Sequence, residues 1–209
     1  MTKNLDQEGL SSVAQNYSLF YIDLWGVVHN GISLNKEAIR VLNELDNNNK
    51  NYVLLTNAPR PSKTVKVFLK KMGLNQDICD HVFTSGEAAL NYLKNNFFSQ
   101  NFYHIGPPRD FDLFIDFKKM KSEDINHSDY FLCTGLFDEH DNDLNYYKEL
   151  LEKKVDKKMI CTNPDLIVDR GNKREFCAGS VAMVFEKMGG EVVYFGKPYP
   201  EVYNQSIDN

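Results

Sequence analysis

Between residues 19 and 72 the chain alternates twice between a short apolar run and an amphipathic stretch with helical spacing. Leu19–Asp23 reads as a strand, and Asn35–Asn48 as a helix with Ala38, Ile39, Leu42 and Leu45 on one face. Asn51–Leu55 reads as a second strand, and Ser62–Met72 as a second helix that Gly73 is placed to end. Strand and helix in alternation with short loops predict a parallel sheet with right-handed crossovers. Further on, Ser85–Phe97 reads as a capped helix and Phe102–Ile105 and Tyr130–Thr134 as strands. Leu144–Lys154 reads as a helix, Lys158–Thr162 as a strand, Gly179–Lys187 as the core of a helix and Val192–Phe195 as a last strand. Residues 1–16 are polar and read as a frayed or briefly helical lead-in.

The chain of 209 residues has room for one large domain or two small ones. With 42% hydrophobic residues it is globular in composition. A formal charge of -5, and lysine pairs interleaved with acids, argue against nucleic-acid binding. No apolar run is long enough to cross a bilayer, and the polar start is unlike a signal peptide, so no membrane role is expected. Cys79, Cys133, Cys161 and Cys177 form no CxxC pair and sit among apolar neighbours. Buried free thiols and a cytoplasmic location follow as expectations. Self-association is left open.

The chemistry concentrates at strand ends. Asp23 closes the first strand and a glycine-containing turn follows at once, in the stretch LFYIDLWGVVHNG. An acid at the C-terminal end of a buried strand sits where open α/β sheets bind ligands, and burial of an unpartnered charge is expensive. Thr56-Asn57 closes the second strand, and Lys197 follows the last. If these strands lie side by side, a carboxylate, a hydroxyl with nearby amides and an ammonium emerge on one edge. That set suits a phosphate: the carboxylate to attack phosphorus or hold a metal, the hydroxyl and amides to hold oxygens, the lysine to neutralise developing charge. Each alone is weak evidence, since a lone strand-end Asp or Thr usually serves a turn. The acid-rich 138–143 segment lacks the ligand ladder of a calcium loop and reads as solvated.

DLWGVVHNG, LLTNAPR and FGKPYPEVY together resemble the first three motifs of the haloacid dehalogenase (HAD) superfamily, most closely its class IIA, NagD-like branch. TSGEAA, CTNPD and CAGSVAMVFEKMGG resemble further segments of that branch. The resemblance implies a Rossmann-like parallel-sheet core with an inserted α/β cap domain. The core would comprise residues 1–83 and 191–209, and the cap 84–190. It implies a phosphatase of small phosphorylated metabolites, with Asp23 as the nucleophile and Lys197 as its charge-stabilising partner. Thr56 and Asn57 would bind the phosphoryl group, with Asn163 and Asp165 at the cap edge facing it. Mg2+ would rest on Asp23 and the backbone carbonyl of Trp25.

Two departures stand out. The resemblance places a second Asp, the general acid/base, where this chain has Trp25, and an indole exchanges no proton at neutral pH. His29 is the nearest titratable substitute but reads as a polar loop residue. The acidic fourth motif of the family is not found after Lys197, so the C-terminal part of the core is expected to be missing. The competing expectation is a non-catalytic module on the same fold that binds a phosphorylated ligand. A nucleotide-binding domain has less support, because no Gly-rich phosphate loop is present.

Overall fold

The computed structural model describes residues 9–170 and 173–207. Most of the expected N-terminal lead-in, residues 1–8, lies outside them. The elements in chain order are α1 (Ser11–Ala14), β1 (Leu19–Ile22), α2 (Lys36–Asn47), β2 (Asn51–Thr56), α3 (Ser62–Lys71), α4 (Gln76–Asp80), β3 (Val82–Thr84) and α5 (Ser85–Asn96). Then come β4 (Phe102–Ile105), β5 (Lys121–Ser122), β6 (Tyr130–Cys133), α6 (Leu144–Leu151) and β7 (Lys158–Cys161). The chain continues with β8 (Ile167–Arg170), β9 (Lys173–Phe176), α7 (Ala178–Lys187), β10 (Glu191–Tyr194) and α8 (Pro200–Ile207).

Two parallel sheets result, as the strand–helix alternation predicts. The first has the order β1-β2-β3, with Leu19 opposite Asn51 and Leu54 opposite Val82. The second has the order β10-β7-β6-β4-β5, with Cys133 opposite Cys161 and Tyr194 opposite Cys161 on the other side. β8 and β9 form a separate antiparallel hairpin. The last strand, expected with residues 191–209 in the core sheet, instead hydrogen-bonds β7 along its whole length. Helix α7 carries the chain from β7 back to a neighbouring parallel position, the short crossover that such sheets favour.

Alternation along the second sheet explains its two covered faces. Phe102, Tyr130, Leu132 and Ile160 point one way, into a cluster with Leu55 of β2, Phe83 of β3, Leu90 and Leu93 of α5, Phe195 and Val202. Ile105, Phe131, Cys133, Met159 and Cys161 point the other way, onto Tyr147 and Leu151 of α6 and Val181 and Phe185 of α7. A third cluster seats α2 and α3 on the outer face of the first sheet through Leu42, Leu45, Leu54 and Leu69. The first cluster draws side chains from both sheets, so the two share one core. All four cysteines are buried and free, as the sequence suggested.

Tyr130 is packed at ring-centroid distances of 4.7 Å from Phe97 and 5.8 Å from Phe102, and its buried hydroxyl has no hydrogen-bond partner among the described residues. A buried, unpaired hydroxyl costs more than its removal. Tyr130→Phe is therefore expected to raise stability by about 1 kcal/mol in urea unfolding.

Candidate active site

Asp23 directly follows β1, at its C-terminal end. The next residues close a tight loop in which the amides of Val28 and His29 donate to the Leu24 carbonyl at 2.9 and 3.1 Å, and Gly26 N–H to the His29 carbonyl at 2.8 Å. Gly26 adopts φ +78°, a conformation that only glycine takes without penalty. Thr56 ends β2, the neighbouring strand, so Asp23 and Thr56 share one sheet edge. The Thr56 hydroxyl accepts from Ala58 N–H at 3.3 Å, and both Thr56 and Asn57 are buried.

Lys197 arrives differently from the sequence expectation. Its strand, β10, lies in the second sheet, yet its Nζ donates to Asp23 Oδ1 at 2.5 Å. The C-terminal edges of the two sheets thus face each other, and the ion pair spans them. The Asn57 side chain ties the same edges together. Its Oδ1 accepts from Lys197 N–H at 2.6 Å, and its Nδ2 donates to the Lys197 carbonyl at 3.1 Å and to Asp165 Oδ1 at 2.8 Å. Sequence reading placed Asn57 with Thr56 at the phosphoryl group and gave no sign of this bridge. Asn163 Oδ1 accepts from Asp165 N–H at 3.0 Å and so shapes its own turn, presenting Asp165 to Asn57. Gly196 has φ +127°, and a Cβ there would lie 2.7 Å from Asn57 Oδ1 and 2.5 Å from Pro164 Cδ. Only glycine fits between the two turns.

His29 lies beside this cluster. Its Nδ1 accepts from Gly31 N–H at 3.0 Å, which puts the ring proton of the neutral form on Nε2. Burial holds its pKa below the ordinary imidazole value, with the Asp23 charge opposing, so it is neutral at pH 7. The ring packs edge-on between Trp25 and Phe68 at 5.5 and 5.8 Å. These contacts fit the polar loop role that the sequence suggested.

Arg60, at the end of the loop that starts at Thr56, reaches the second half of the molecule. Its Nε and Nη2 lie 3.2 and 2.9 Å from Asp112 Oδ2, and Thr64 Oγ1 donates to the same oxygen at 2.5 Å. Asp112 belongs to a 3-10 turn, Pro108–Leu113, just after β4. The single hydroxyl proton of Ser85, the first residue of α5, is shared between the carbonyls of Ala58 and Thr162, which lie 2.9 and 2.6 Å from its Oγ. None of these ties was legible, because each joins segments far apart in sequence.

Near the Asp112 clamp, Asp110 and His104 both bond the buried Thr134 hydroxyl, His104 Nε2 at 2.8 Å. Burial lifts Asp110 to about 6, against the pull of the Thr134 hydrogen bond and of Arg109 and Arg60. Burial, helped by Lys121, lowers His104 to about 4. A carboxyl raised in the folded state favours folding below pH 4 and loses that advantage as pH climbs through 6. A depressed imidazole acts oppositely, and its contribution is lost as pH falls from 6.5 through 4. In the native protein the two slopes offset. Asp110→Asn removes one of them. It is expected to gain about 1–3 kcal/mol at pH 7, with no gain at pH 4, and its stability should rise with pH between 4 and 6.5. Urea unfolding at the two pH values checks this.

The geometry can be set beside known proteins. Residues 20–117 match the sequence model of the haloacid dehalogenase-like hydrolases. A haloacid dehalogenase-like hydrolase from Brucella suis 1330 is 29% identical, with a TM-score of 0.86 over 95% of this chain and 76% of its own. The chain is thus similar to haloacid dehalogenase-like hydrolases, in sequence over residues 20–117 and in fold over most of its length. A putative NagD protein, 24% identical, shares the fold at a TM-score of 0.69 over 91% of this chain and 75% of its own. So does a 4-nitrophenylphosphatase from Thermotoga maritima, 24% identical, at 0.71 over 94% and 74%. A search of curated proteins finds no match. No helix among the described residues is long and apolar enough to cross a membrane.

Proposed function

We propose that this chain is a haloacid dehalogenase-like hydrolase and a phosphatase of small phosphorylated metabolites, working through an aspartyl-phosphate intermediate. The observation that carries the reading is the Asp23–Lys197 pair, held across two facing sheet edges beside the buried Thr56. An Asp23 oxygen attacks phosphorus and the ester oxygen departs with the bond pair. Water then cleaves the acyl phosphate, releasing phosphate and restoring the carboxylate. The Lys197 ammonium offsets charge building on the phosphoryl oxygens, and the Thr56 hydroxyl is placed to hold one of them. Asn57 fixes Lys197 and Asp165 at the mouth, where Asp165 meets the rest of the substrate.

The donor chemistry fits Mg2+. Among the described residues no three His, Cys, Asp or Glu side chains cluster to form an all-protein cage. Mg2+ needs none, since it commonly takes one or two carboxylates and fills its other positions with water and substrate phosphate. Asp23 and the Trp25 carbonyl are the residues that would hold it, and the ion would withdraw charge from the phosphoryl oxygens. The four free thiols suit a reducing compartment such as the cytoplasm.

The test is phosphate release from a panel of sugar, nucleotide and aryl phosphates. Turnover with Mg2+ that stops with chelator and returns on re-addition is expected. A phosphorylated compound that binds without turnover would instead identify a ligand-binding module.

A further inference from the structure

Trp25 occupies the place of the expected proton-transfer acid, and its surroundings give it a different task. The indole Nε1–H donates to the backbone carbonyl of Asp169, in β8, at 3.3 Å. The six-membered ring of the indole lies against Gly31, where a Cβ would come within 2.8 Å of it, and meets the His29 ring edge-on. The nucleophile loop therefore grips the ring on one side, and the ring presents its only donor outward to the hairpin. A second tie comes from Lys173 of β9, whose Nζ donates to Asp141 Oδ2 at 2.9 Å. Among the described residues the hairpin's two strands pair only with each other, outside both sheets. Ile167 and Phe176, opposite each other in register, are 45% and 37% exposed. The Asp169–Arg174 ion pair at 2.8 and 3.0 Å joins the two strands without tying them to the rest of the molecule.

We propose that Trp25 is a positioning residue that pins the β8–β9 hairpin to the nucleophile loop, two residues from Asp23. The pin fixes the hairpin over one side of the site, where it limits which leaving groups reach Asp23. The functional half of this statement rests on the phosphatase reading. The pin itself does not.

Trp25→Phe separates the two. Phenylalanine keeps an aromatic ring against Gly31 and His29 and lacks the N–H. Amide hydrogen exchange is measured on the full chain, with strands β6 and β7 as internal reference. Loss of one hydrogen bond is expected to speed exchange in Ile167–Arg170 and Lys173–Phe176 about 3- to 10-fold while the reference strands stay unchanged. Unchanged exchange in the hairpin overturns the pin. Equal acceleration in hairpin and reference strands overturns it too, since the substitution then acts on global stability. Steady-state kinetics with p-nitrophenyl phosphate reads the second half. A loosened hairpin should change KM by several-fold with kcat nearly kept, whereas a fall in kcat at constant KM would give Trp25 a chemical role and overturn the positioning assignment. If neither form turns over any phosphate ester, the phosphatase reading fails, and the exchange experiment still decides the pin.

Discussion

Asp23→Asn should abolish phosphate release, with kcat falling about 10⁴-fold or more, while the protein stays folded. The two effects separate because their sizes differ. The Asp23 carboxylate is 41% exposed and the Lys197 side chain 26%, so their ion pair contributes about 1 kcal/mol or less to stability. An amide at position 23 still accepts a hydrogen bond from Lys197, but it is far too weak a nucleophile to form the acyl phosphate. Single-turnover phosphate release, read beside a urea unfolding curve, gives both numbers. Turnover that survives the substitution would remove Asp23 from the chemistry, and with it the aspartyl-phosphate route. Loss of activity through unfolding would show instead as a shifted urea midpoint.

The second large effect concerns the leaving group. Positioned general acids contribute about 10²–10⁴-fold, and the residue that would supply one here is an indole. His29 is neutral at pH 7 with its Nδ1 engaged by Gly31, and Lys197 is committed to Asp23. The reaction should therefore depend steeply on how well the leaving oxygen bears negative charge. Aryl phosphates such as p-nitrophenyl phosphate are expected to exceed simple alkyl phosphates in kcat/KM by about 10²–10⁴-fold. A plot of log kcat/KM against leaving-group pKa makes the comparison. A flat plot would mean that another residue delivers the proton.

Much of the fold was legible because each element states its own period. The apolar stripe of α2 and the runs at β1, β2, β6 and β7 are local signals, and local signals survive in a single sequence. The hairpin β8–β9 was not seen. Its strands carry Asp169, Arg170, Lys173, Arg174 and Glu175, so no apolar alternation marks them, although the Gly171-Asn172 dipeptide between them is a turn signal worth weighing. The position of β10 was misjudged for another reason: which sheet a strand joins depends on tertiary pairing, which its apolar run does not encode. The site divides in the same way. Asp23, Thr56 and Lys197 could be read from strand ends and from a family resemblance. The Asn57 bridge, the Arg60–Asp112 clamp and the Trp25 contact could not, since each exists only after distant segments meet.

The cluster shared by the two sheets sets how the molecule comes apart. Leu55 and Phe83 from one sheet and Phe102, Tyr130, Leu132 and Ile160 from the other are buried against one another, so neither sheet can lose its packing alone. The halves that supply Asp23 and Lys197 should melt in one cooperative step, with calorimetric and van't Hoff enthalpies agreeing. The Asp23–Lys197 pair then has no half-assembled form. Damage to the aromatic packing around Phe102 would change the fraction of molecules that are active and leave the rate of each active molecule as it was.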